Sequence, residues 1–271
     1  MSWDHIELAI QDTDTGIGAG RIATITLNRP EALNALSGSM REDLLAAIDE
    51  AATKARVLLL TGRGKAFCSG GDVRFMAKLR RESRPEVLAP LIEQGKRVVR
   101  RLRDLPIPSV ACVNGVAAGA GFGLALARDL RIASATARFA ASFSRIGLHP
   151  DWGTSYFLTR LAGAAVAREL IFTGRLIDAA EASRLGLVNR VVEPEALAKE
   201  SRELAEELAA AAPLSIQYAK KAVALAEGGS LDEVLDFESE AQLACFRSDD
   251  ALEGIQAFEE KRRPRFKGNA S

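Results

Sequence analysis

Two glycine-rich runs are the first places where the backbone of this chain could contact a ligand. One is Gly119-Ala120-Gly121-Phe122-Gly123, and the other is Gly62-Arg63-Gly64-Lys65. Glycine allows close approach of the backbone, so each run could present N–H groups to a ligand oxygen. The first run lacks the spacing of a dinucleotide fingerprint, and the second lacks the Ser or Thr of a phosphate loop. Taken alone, both runs are also compatible with purely structural turns.

Side chains that exchange protons near neutral pH are few. The chain has two histidines, and His5 is interpreted as a surface residue of the first predicted strand. His149 precedes Pro150 and Asp151 and could contribute to a site, but no GxSxG pattern supports a serine triad. No group of residues has the spacing of a metal site, so no metal ion is expected.

The elements that would position these residues begin with a β-hairpin. Ile6 to Ile10 and Arg21 to Leu27 are short β-branched segments, joined by a Gly- and Asp-rich connection from Asp12 to Gly20. Apolar residues at helical spacing between Ser39 and Ala52 predict an amphipathic helix. The apolar run from Val57 to Leu60 then predicts a strand that is buried on both faces.

The same order of elements recurs further along the chain. A predicted helix from about Pro85 to Leu105 precedes a strand at Val110 to Val113, a helix that ends at Ala127, and a strand at Leu130 to Ala133. Repeated strand–turn–helix units indicate an α/β core. After Val192 the pattern is helical, with predicted helices at Glu195 to Ala211, Leu214 to Ala226, Leu231 to Phe246 and Asp250 to Lys261.

The composition excludes several classes of protein. With 48% hydrophobic and 27% charged residues, the chain can form a packed core and differs from disordered proteins. Lys plus Arg and Asp plus Glu number 36 each, so no net field favours nucleic acid or an anionic membrane. The three cysteines are far apart and expected to be reduced, and the absence of a signal-peptide pattern predicts a cytoplasmic protein. The charge-free stretch from Ser109 to Ala127 predicts a buried strand, turn and helix rather than a membrane span.

Three longer segments carry a more specific signal. They are KAFCSGGDV at 65–73, PSVACVNGVAAGAGFGLALARD at 108–129 and FSRIGLHPDWGTSYFLTRLAG at 143–163. Supporting segments are TLNRPEALNAL at 26–36, LVNRVV at 187–192 and GIQAFEEKRRPRFKG at 254–268. In their order and spacing these segments resemble the crotonase superfamily, also called the enoyl-CoA hydratase/isomerase family, over nearly the whole chain.

The resemblance implies an α/β fold of a specific kind, a crotonase-like spiral of ββα turns with a C-terminal helical trimerisation region. Residues 1–195 would form the spiral, acyl-CoA-binding catalytic core, and residues 196–271 the helical oligomerisation region. The implied ligand is an acyl-CoA thioester, in which coenzyme A is part of the substrate, so no separate cofactor is expected. The implied partners are further copies of the chain, in a trimer or a hexamer, with neither nucleic acid nor membrane.

The resemblance also assigns roles to individual residues. The backbone N–H groups of Gly71 and Ala120 would donate to the thioester oxygen and form an oxyanion hole, which stabilises an enolate. Phe258 and Lys261 match positions near the adenine and phosphates of CoA. The full set of residues expected to contact the substrate or its CoA part is Ala66, Ser69, Gly70, Asp72, Phe143, Phe258 and Lys261.

The expected reaction follows from a departure from the hydratase pattern. Hydratases of the family place two glutamates around an activated water, and the corresponding positions here are Gly123 and Phe143, which carry no titratable proton. Asp151 stands in the GLHPDWG segment, where isomerase members carry their catalytic acid. The AAGAG and FSxxGLxPD residues look like those of 1,2-epoxyphenylacetyl-CoA isomerases. The resemblance therefore implies an isomerase that shifts a double bond, or rearranges a ring epoxide, with Asp151 as its single acid–base group.

Asp151 has an alternative interpretation, and so does the whole protein. The residue could instead cap a helix from Thr154 to Leu161, whereas burial beside Trp152 and Phe143 would raise its pKa and favour catalysis. The other functions left open are a hydratase that uses other acids, an aromatic acyl-CoA dehalogenase or hydrolase with Asp151 as nucleophile, a non-catalytic acyl-CoA-binding relative, and an RNA-binding relative, which the zero net charge disfavours.

The acyl group is not specified by the sequence. Five side chains are candidates for the lining of an aromatic-tolerant pocket, and each of them singly is also compatible with core packing. They are Phe75, Met76, Phe143, Trp152 and Phe157.

Overall fold

The structure is a computed structural model that describes residues 3–13 and 20–268. The described residues contain ten strands: β1 (Ile6–Asp12), β2 (Arg21–Leu27), β3 (Val57–Gly62), β4 (Ala66–Cys68), β5 (Ser109–Val113), β6 (Val116–Ala118), β7 (Leu130–Ser134), β8 (Arg138–Ala140), β9 (Ile177–Asp178) and β10 (Arg190–Val192). They also contain ten α-helices: α1 (Met40–Lys54), α2 (Val73–Arg81), α3 (Leu88–Arg103), α4 (Ala120–Leu126), α5 (Thr154–Thr173), α6 (Ala179–Arg184), α7 (Leu197–Ala209), α8 (Pro213–Ala226), α9 (Leu231–Phe246) and α10 (Asp249–Glu259). Most of the predicted connection from Asp12 to Gly20 lies outside the described residues.

The strands form two sheets. The first has six strands in the order β1-β2-β3-β5-β7-β10, and the second has four in the order β4-β6-β8-β9. Antiparallel pairing of β1 with β2 confirms the predicted hairpin, whereas β2, β3, β5, β7 and β10 are parallel. Strands β3, β5 and β7 belong to the first sheet, and the strands that follow them, β4, β6 and β8, belong to the second. Helices connect each such pair of strands to the next pair. This arrangement confirms the expected spiral of ββα turns.

Strand β3 is buried on both faces, as its apolar run predicts. Leu58 and Leu60 pack in the main core with residues of α1, whereas Val57 and Leu59 pack in a second cluster with residues of α7. Since successive side chains of a strand point to opposite faces, the first sheet lies between two helical layers. The sequence-based prediction missed β4, β6, β8, β9 and β10, which have only two or three residues each and are too short to show a periodicity.

The stretch from Ser109 to Ala127 forms β5, β6 and α4, which confirms the predicted buried strand, turn and helix. Its residues are almost all buried in the core. No helix in the described residues is long and apolar enough to cross a membrane.

The C-terminal helices differ in how they pack. Helix α7 is built into the core, since its residues join the cluster on the first sheet. Helices α8, α9 and α10 bury few residues, and they leave Val223, Leu231 and Phe246 among the exposed apolar side chains. The strands end at Val192, close to the predicted division at residue 195, yet α7 extends the packed region beyond it. The assignment of the remaining helices to oligomerisation stays a prediction.

Candidate active site

Two glycine-bearing turns lie side by side after β4 and β6. These strands are parallel neighbours, so the turns that follow them meet at one edge of the sheet. The approach is close, because a Cβ atom on Gly70 would lie 2.7 Å from the carbonyl oxygen of Ala118 and 3.2 Å from the amide nitrogen of Ala120. Gly70 also has a φ of 97°, a conformation that favours glycine. The fold thus brings the Gly71 and Ala120 amides into one region.

The amides of Gly71 and Ala120 are available to an acceptor. Ala120 is the first residue of α4, and the first N–H groups of a helix have no acceptor inside it. Gly119 leads into this helix with a φ of 52°. In the described part of the chain, neither amide donates to a turn or loop carbonyl. Both residues line the same cavity, an arrangement suited to the predicted oxyanion hole.

This cavity, here called the reaction cavity, has a volume of about 460 Å³. Its wall is mainly apolar, with side chains such as Val73, Met76 and Leu91. Five residues of the predicted site line it, namely Ser69, Gly71, Ala120, Phe143 and Asp151. A second cavity of about 680 Å³ shares Ile92, Asp151 and Trp152 with the first. Asp151 therefore lies where the two cavities meet.

Asp151 lies in the turn that leads into α5. Its backbone carbonyl accepts hydrogen bonds from the amide and the hydroxyl of Thr154, at 3.0 and 2.8 Å. The N-cap position is Gly153, and no side chain caps the helix. The carboxylate atom Oδ1 is buried and has no hydrogen-bond partner among the described residues. The alternative role of Asp151 as a side-chain N-cap is therefore wrong, and the carboxylate can act on a bound molecule.

Burial raises the pKa of Asp151 to about 6, because the carboxylate loses hydration beside this apolar wall. The positive charge of Arg41 acts in the opposite direction, as do the backbone N–H of Asp151 and His149. The predicted direction of the pKa shift is confirmed. At neutral pH the group is mostly ionised and can accept a proton, while its pKa is high enough for it to return that proton.

Arg41 is a functional candidate that the sequence-based prediction missed. It lies in the first turn of α1, is 8% exposed, and lines the reaction cavity. Nη2 makes a long contact of 3.4 Å with the carbonyl of Leu36, whereas Nε and Nη1 have no hydrogen-bond partner among the described residues. Burial lowers the pKa of the guanidinium, and the negative charge of Asp151 opposes this effect.

A sequence signal for Arg41 does exist. The residue stands at i relative to Leu44, Leu45 and Ile48 at i+3, i+4 and i+7, so helical geometry places it on the apolar face of α1. A lone cation in that register is unusual, because charged side chains are rarely buried without a partner.

Trp152 fixes the Asp151 turn against two helices. Its indole lies against Gly95 of α3, where an added Cβ would be 2.6 Å from Nε1. Its backbone lies against Gly123 of α4, where an added Cβ would be 2.8 Å from the Trp152 carbonyl oxygen and 2.6 Å from the hydroxyl oxygen of Thr154. The volume that a side chain at residue 123 would need is thus occupied by the Asp151 turn.

Asp72, predicted to contact the substrate, has a structural role. Its side chain caps α2 by accepting from the amide of Phe75 at 3.1 Å, and it pairs with Arg29 at 2.8 Å. Burial opposes ionisation of the carboxyl group, but the hydrogen bonds and the charge of Arg29 outweigh it, so its pKa is below the usual range. Asp72 is not on the wall of the reaction cavity.

Ala66 and Gly70 also lie behind the wall rather than on it. Ala66 is buried in β4, and its carbonyl accepts a hydrogen bond from the side chain of Asn34 at 2.8 Å. Gly70 supports the close approach of the two turns described above. Contact of these two residues and Asp72 with the substrate or CoA stays a prediction.

Phe258 and Lys261 are not brought to the reaction cavity within one chain. Phe258 lies in α10, is 86% exposed, and lines a separate cavity beside α9 and α10. Lys261 follows the same helix, with a φ of 54°. Their predicted contacts with CoA stay predictions.

His149 lines the reaction cavity, and its Nδ1 lies 2.7 Å from the carbonyl oxygen of Pro150. Of the other aromatic-pocket candidates, Met76 and Trp152 line the reaction cavity with Phe143, and Phe157 lines the second cavity. Phe75 is on neither wall. Among the described residues, no group of three or more His, Cys, Asp or Glu side chains is placed to hold a metal ion.

Comparison with protein-family models gives a match over nearly the whole chain. The model described as enoyl-CoA hydratase/isomerase matches residues 18–269. The chain belongs to the enoyl-CoA hydratase/isomerase family. The membership confirms the resemblance to the crotonase superfamily that the sequence segments indicate.

Two similar members of the family carry different names. The short-chain-enoyl-CoA hydratase of Clostridium acetobutylicum is 39% identical over 248 residues, which cover 90% of this chain and 93% of the relative. The 1,2-epoxyphenylacetyl-CoA isomerase of Escherichia coli is 39% identical over 249 residues, which cover 91% of this chain and 95% of the relative. Equal identity to the two relatives does not separate a hydratase from an isomerase.

A solved structure confirms the fold. The enoyl-CoA hydratase of Bacillus anthracis superposes with a TM-score of 0.88 at 34% identity, and the match covers 97% of this chain and 99% of that one. The spiral and the helices that follow it are therefore those of the family.

Proposed function

We propose that this protein is an acyl-CoA isomerase that moves a double bond, or rearranges a ring epoxide, in the acyl group of a thioester. The observation that carries the proposal is the position of Asp151. It has the only acidic side chain on the wall of the reaction cavity in the described residues, and its buried Oδ1 has no partner there. A single carboxylate is sufficient to transfer a proton between two carbon atoms of one substrate.

The proposed reaction begins at the α-carbon of a 3-enoyl thioester. Asp151 removes the α-proton, and the electron pair moves toward the thioester oxygen as a dienolate forms. The amides of Gly71 and Ala120 donate to that oxygen, and one such donor typically lowers the barrier by about 2.7 to 4 kcal/mol. Protonated Asp151 then returns the proton to the γ-carbon, so that the double bond becomes conjugated with the thioester.

The surroundings of Asp151 support an isomerase over a two-carboxylate hydratase. The position that matches the first hydratase glutamate is Gly123, and its side-chain volume is filled by Trp152 and Thr154. The position that matches the second is Phe143, whose ring lies near Gly119 on the cavity wall. Since neither position offers a carboxylate, the two-carboxylate activation of water lacks both of its glutamates.

Hydration is the second candidate function, because hydratase is the more frequent name among the similar relatives. A hydratase adds water across a 2-enoyl thioester, and it therefore incorporates solvent oxygen into the product. Isomerisation rearranges the substrate without taking up oxygen. The fate of solvent oxygen thus distinguishes the two reactions.

The test uses 3-enoyl-CoA and 2-enoyl-CoA in heavy-oxygen water, with product masses and ultraviolet absorbance as readouts. We expect conjugation of the 3-enoyl substrate without oxygen uptake, and loss of this activity in Asp151→Asn. Glu207→Gln, which changes an acidic residue of α7 outside the cavity wall, is the control and should keep the activity. Oxygen uptake into the 2-enoyl substrate would contradict the proposal and favour a hydratase.

The same preparations test the remaining alternatives. An aryl group bound covalently to Asp151 and detected by mass spectrometry would favour the dehalogenase or hydrolase reaction. Tight binding of acyl-CoA without any turnover would favour a non-catalytic relative, and binding of RNA an RNA-binding one. The covalent adduct, or binding of acyl-CoA without turnover, would overturn the isomerase proposal.

We also propose that the protein acts in the cytoplasm as a trimer or hexamer. The exposed apolar side chains of α8, α9 and α10 support self-association, since large exposed apolar surfaces commonly mark interfaces. Sedimentation velocity should give the mass of three or six chains. A purely monomeric species at micromolar concentration would contradict this part.

A further inference from the structure

Arg41 lines the reaction cavity, and its guanidinium carries hydrogen-bond donors that the described residues do not satisfy. Within the described residues, Nε and Nη1 are buried without a partner, and Nη2 contacts only a carbonyl at 3.4 Å. A buried donor that has lost water and gained no acceptor destabilises a protein. Its persistence at the wall of a cavity indicates that a bound molecule supplies the missing acceptor.

We propose that Arg41 donates hydrogen bonds to an uncharged oxygen atom carried by the acyl group, so that the enzyme selects oxygen-bearing acyl-CoA thioesters over hydrocarbon ones. The oxygen would be that of a ketone, a hydroxyl group, an ether or an epoxide. This inference rests on the proposed function, because it takes the acyl group to occupy the reaction cavity. It adds a specificity-determining residue to the groups that perform the proton transfer.

The location of Arg41 indicates which part of the ligand it recognises. Arg41 and Asp151 line the same cavity and are close enough for the charge of each to influence the other. The group that Asp151 acts on is the acyl chain, so the oxygen that accepts from Arg41 belongs to that chain rather than to the nucleotide part of CoA. Most of the surrounding wall is apolar, including Met76, Leu91 and Phe143, and the other side chains on it that can donate are Ser69, Ser142 and His149 among the described residues.

Charge balance favours an uncharged oxygen over a carboxylate. The cavity already contains one anion, Asp151, to balance the one buried cation, Arg41. A second carboxylate would give the cavity a net negative charge beside a base, and like charges in a poorly hydrated site repel strongly. A neutral oxygen can accept a hydrogen bond from the guanidinium of Arg41 without this repulsion.

A hydrocarbon acyl group would leave the donors of Arg41 unsatisfied. A site built to hydrogen-bond one group discriminates strongly against an analogue that lacks it. We therefore expect binding to favour the right oxygen-bearing acyl group by about tenfold or more.

The experiment measures binding by calorimetry with saturated thioesters, which cannot be isomerised. The ligands are hexanoyl-CoA, its 4-oxo and 5-oxo derivatives, and adipyl-CoA, which ends in a carboxylate. Wild-type protein should bind at least one oxo derivative about tenfold or more tightly than hexanoyl-CoA, and adipyl-CoA no more tightly than hexanoyl-CoA. Equal affinity for all oxo and hydrocarbon ligands, or preference for adipyl-CoA, would overturn the proposal even without any variant.

The variant Arg41→Met keeps most of the side-chain length and removes every donor. It should bind oxo and hydrocarbon ligands with affinities within about twofold of each other. The matched control Arg97→Met changes an exposed arginine of α3 and should keep the wild-type preference. Retention of the full preference in Arg41→Met would contradict the role of Arg41.

These outcomes are independent of whether Asp151 catalyses isomerisation. Saturated ligands test recognition alone, whereas the heavy-oxygen assay tests the reaction. Preference for an oxo ligand together with uptake of solvent oxygen would support the Arg41 inference and contradict the isomerase proposal. Isomerisation of 3-enoyl-CoA without a preference for oxo ligands would support the isomerase proposal and contradict the Arg41 inference.

Discussion

The turns that contain Asp72 and Asp151 both lead into a helix, but they place their carboxylates in opposite electrostatic environments. Each precedes a helix, α2 in one case and α5 in the other. In the first turn the carboxylate itself caps the helix and pairs with Arg29. In the second turn a backbone carbonyl accepts the hydrogen bonds of Thr154, and the carboxylate atom Oδ1 has no partner in the part of the chain that the structure describes.

The consequence appears in the pKa of each group. Partners hold the pKa of Asp72 below its usual range, whereas burial raises that of Asp151 to about 6. A carboxylate with satisfied hydrogen bonds is a weak base and a good structural element, while one without them can exchange protons near neutral pH. The comparison shows that helix capping by the backbone is what leaves Asp151 available for chemistry.

The largest expected difference between the turns is in turnover. Asp151→Asn should lower kcat for 3-enoyl-CoA isomerisation by about 10²- to 10⁴-fold, because the amide cannot accept the α-proton. Asp72→Asn should change kcat by less than about tenfold, since this side chain lies behind the cavity wall. Steady-state assays of both variants provide the measurement, and comparable losses in the two would abolish the distinction between the turns.

The second difference concerns how the Asp151 turn is held. Gly123→Ala should destabilise the protein by about 1 to 3 kcal/mol, because the new methyl group would meet Trp152 and Thr154 inside contact distance. Gly254→Ala is the matched control, a glycine of α10 where the added atom would be 3.4 Å from the ring of Phe266. It should be neutral or slightly stabilising, as alanine is in helices. Chemical denaturation measures the free energy of unfolding of both variants. A Gly123→Ala variant as stable as the wild type would show that the turn can accommodate the added methyl group.

The two aspartates should also affect stability with opposite sign at neutral pH. Because the pKa of Asp151 is raised in the folded state, the unfolded chain releases this proton at lower pH than the folded chain does. The free energy of unfolding therefore falls as pH rises from about 4 to about 6. Asp151→Asn should therefore stabilise the protein at pH 7, by up to about 2 kcal/mol. The lowered pKa of Asp72 adds stability above the unfolded-state pKa, and this is lost as pH falls through the folded value.

Asp72→Asn, which removes this charge, should lower the free energy of unfolding by about 1 kcal/mol at pH 7. Urea titrations of the two Asp→Asn variants at pH 7 and pH 4 measure both effects. The difference between the variants should shrink at the lower pH, where Asp151 is protonated in the folded wild type. Shifts in the same direction at pH 7 would contradict the electrostatic contrast.

The smallest effect is a change in the pH profile. kcat/KM should rise with pH and level off above about 6, because the ionised form of Asp151 is the base. Asp72→Asn should leave the midpoint of this rise unchanged, since the pKa of Asp72 lies far below it. A midpoint near 4 in the wild type would show that Asp151 is hydrated in solution and not a tuned base.

Much of the fold was accessible from sequence because its signals are local. The apolar run of β3 and the helical periodicity of α1 and α9 each contain enough residues to show a pattern. The two- or three-residue strands of the second sheet do not, and they form because neighbouring turns of the spiral bring them into register. The resemblance to the family supplied this part of the architecture.

The amino-acid sequence alone establishes the α/β core, the glycine-rich turn at 119–123, the family and the absence of glutamates at Gly123 and Phe143, whereas the other glycine-rich run, at 62–65, is not on the wall of the reaction cavity in the described residues. The three-dimensional structure is needed to show that Oδ1 of Asp151 has no partner in the described residues while Asp72 is paired, because hydrogen-bond partners such as Arg29 come from distant parts of the chain. The environment of Arg41 also depends on the fold. In the sequence Arg41 is a single charge on an amphipathic helix, and the folded chain places it on the wall of the same cavity as Asp151. Burial and pairing depend on which segments meet in space, and for these two residues the fold rather than the local sequence fixes that environment.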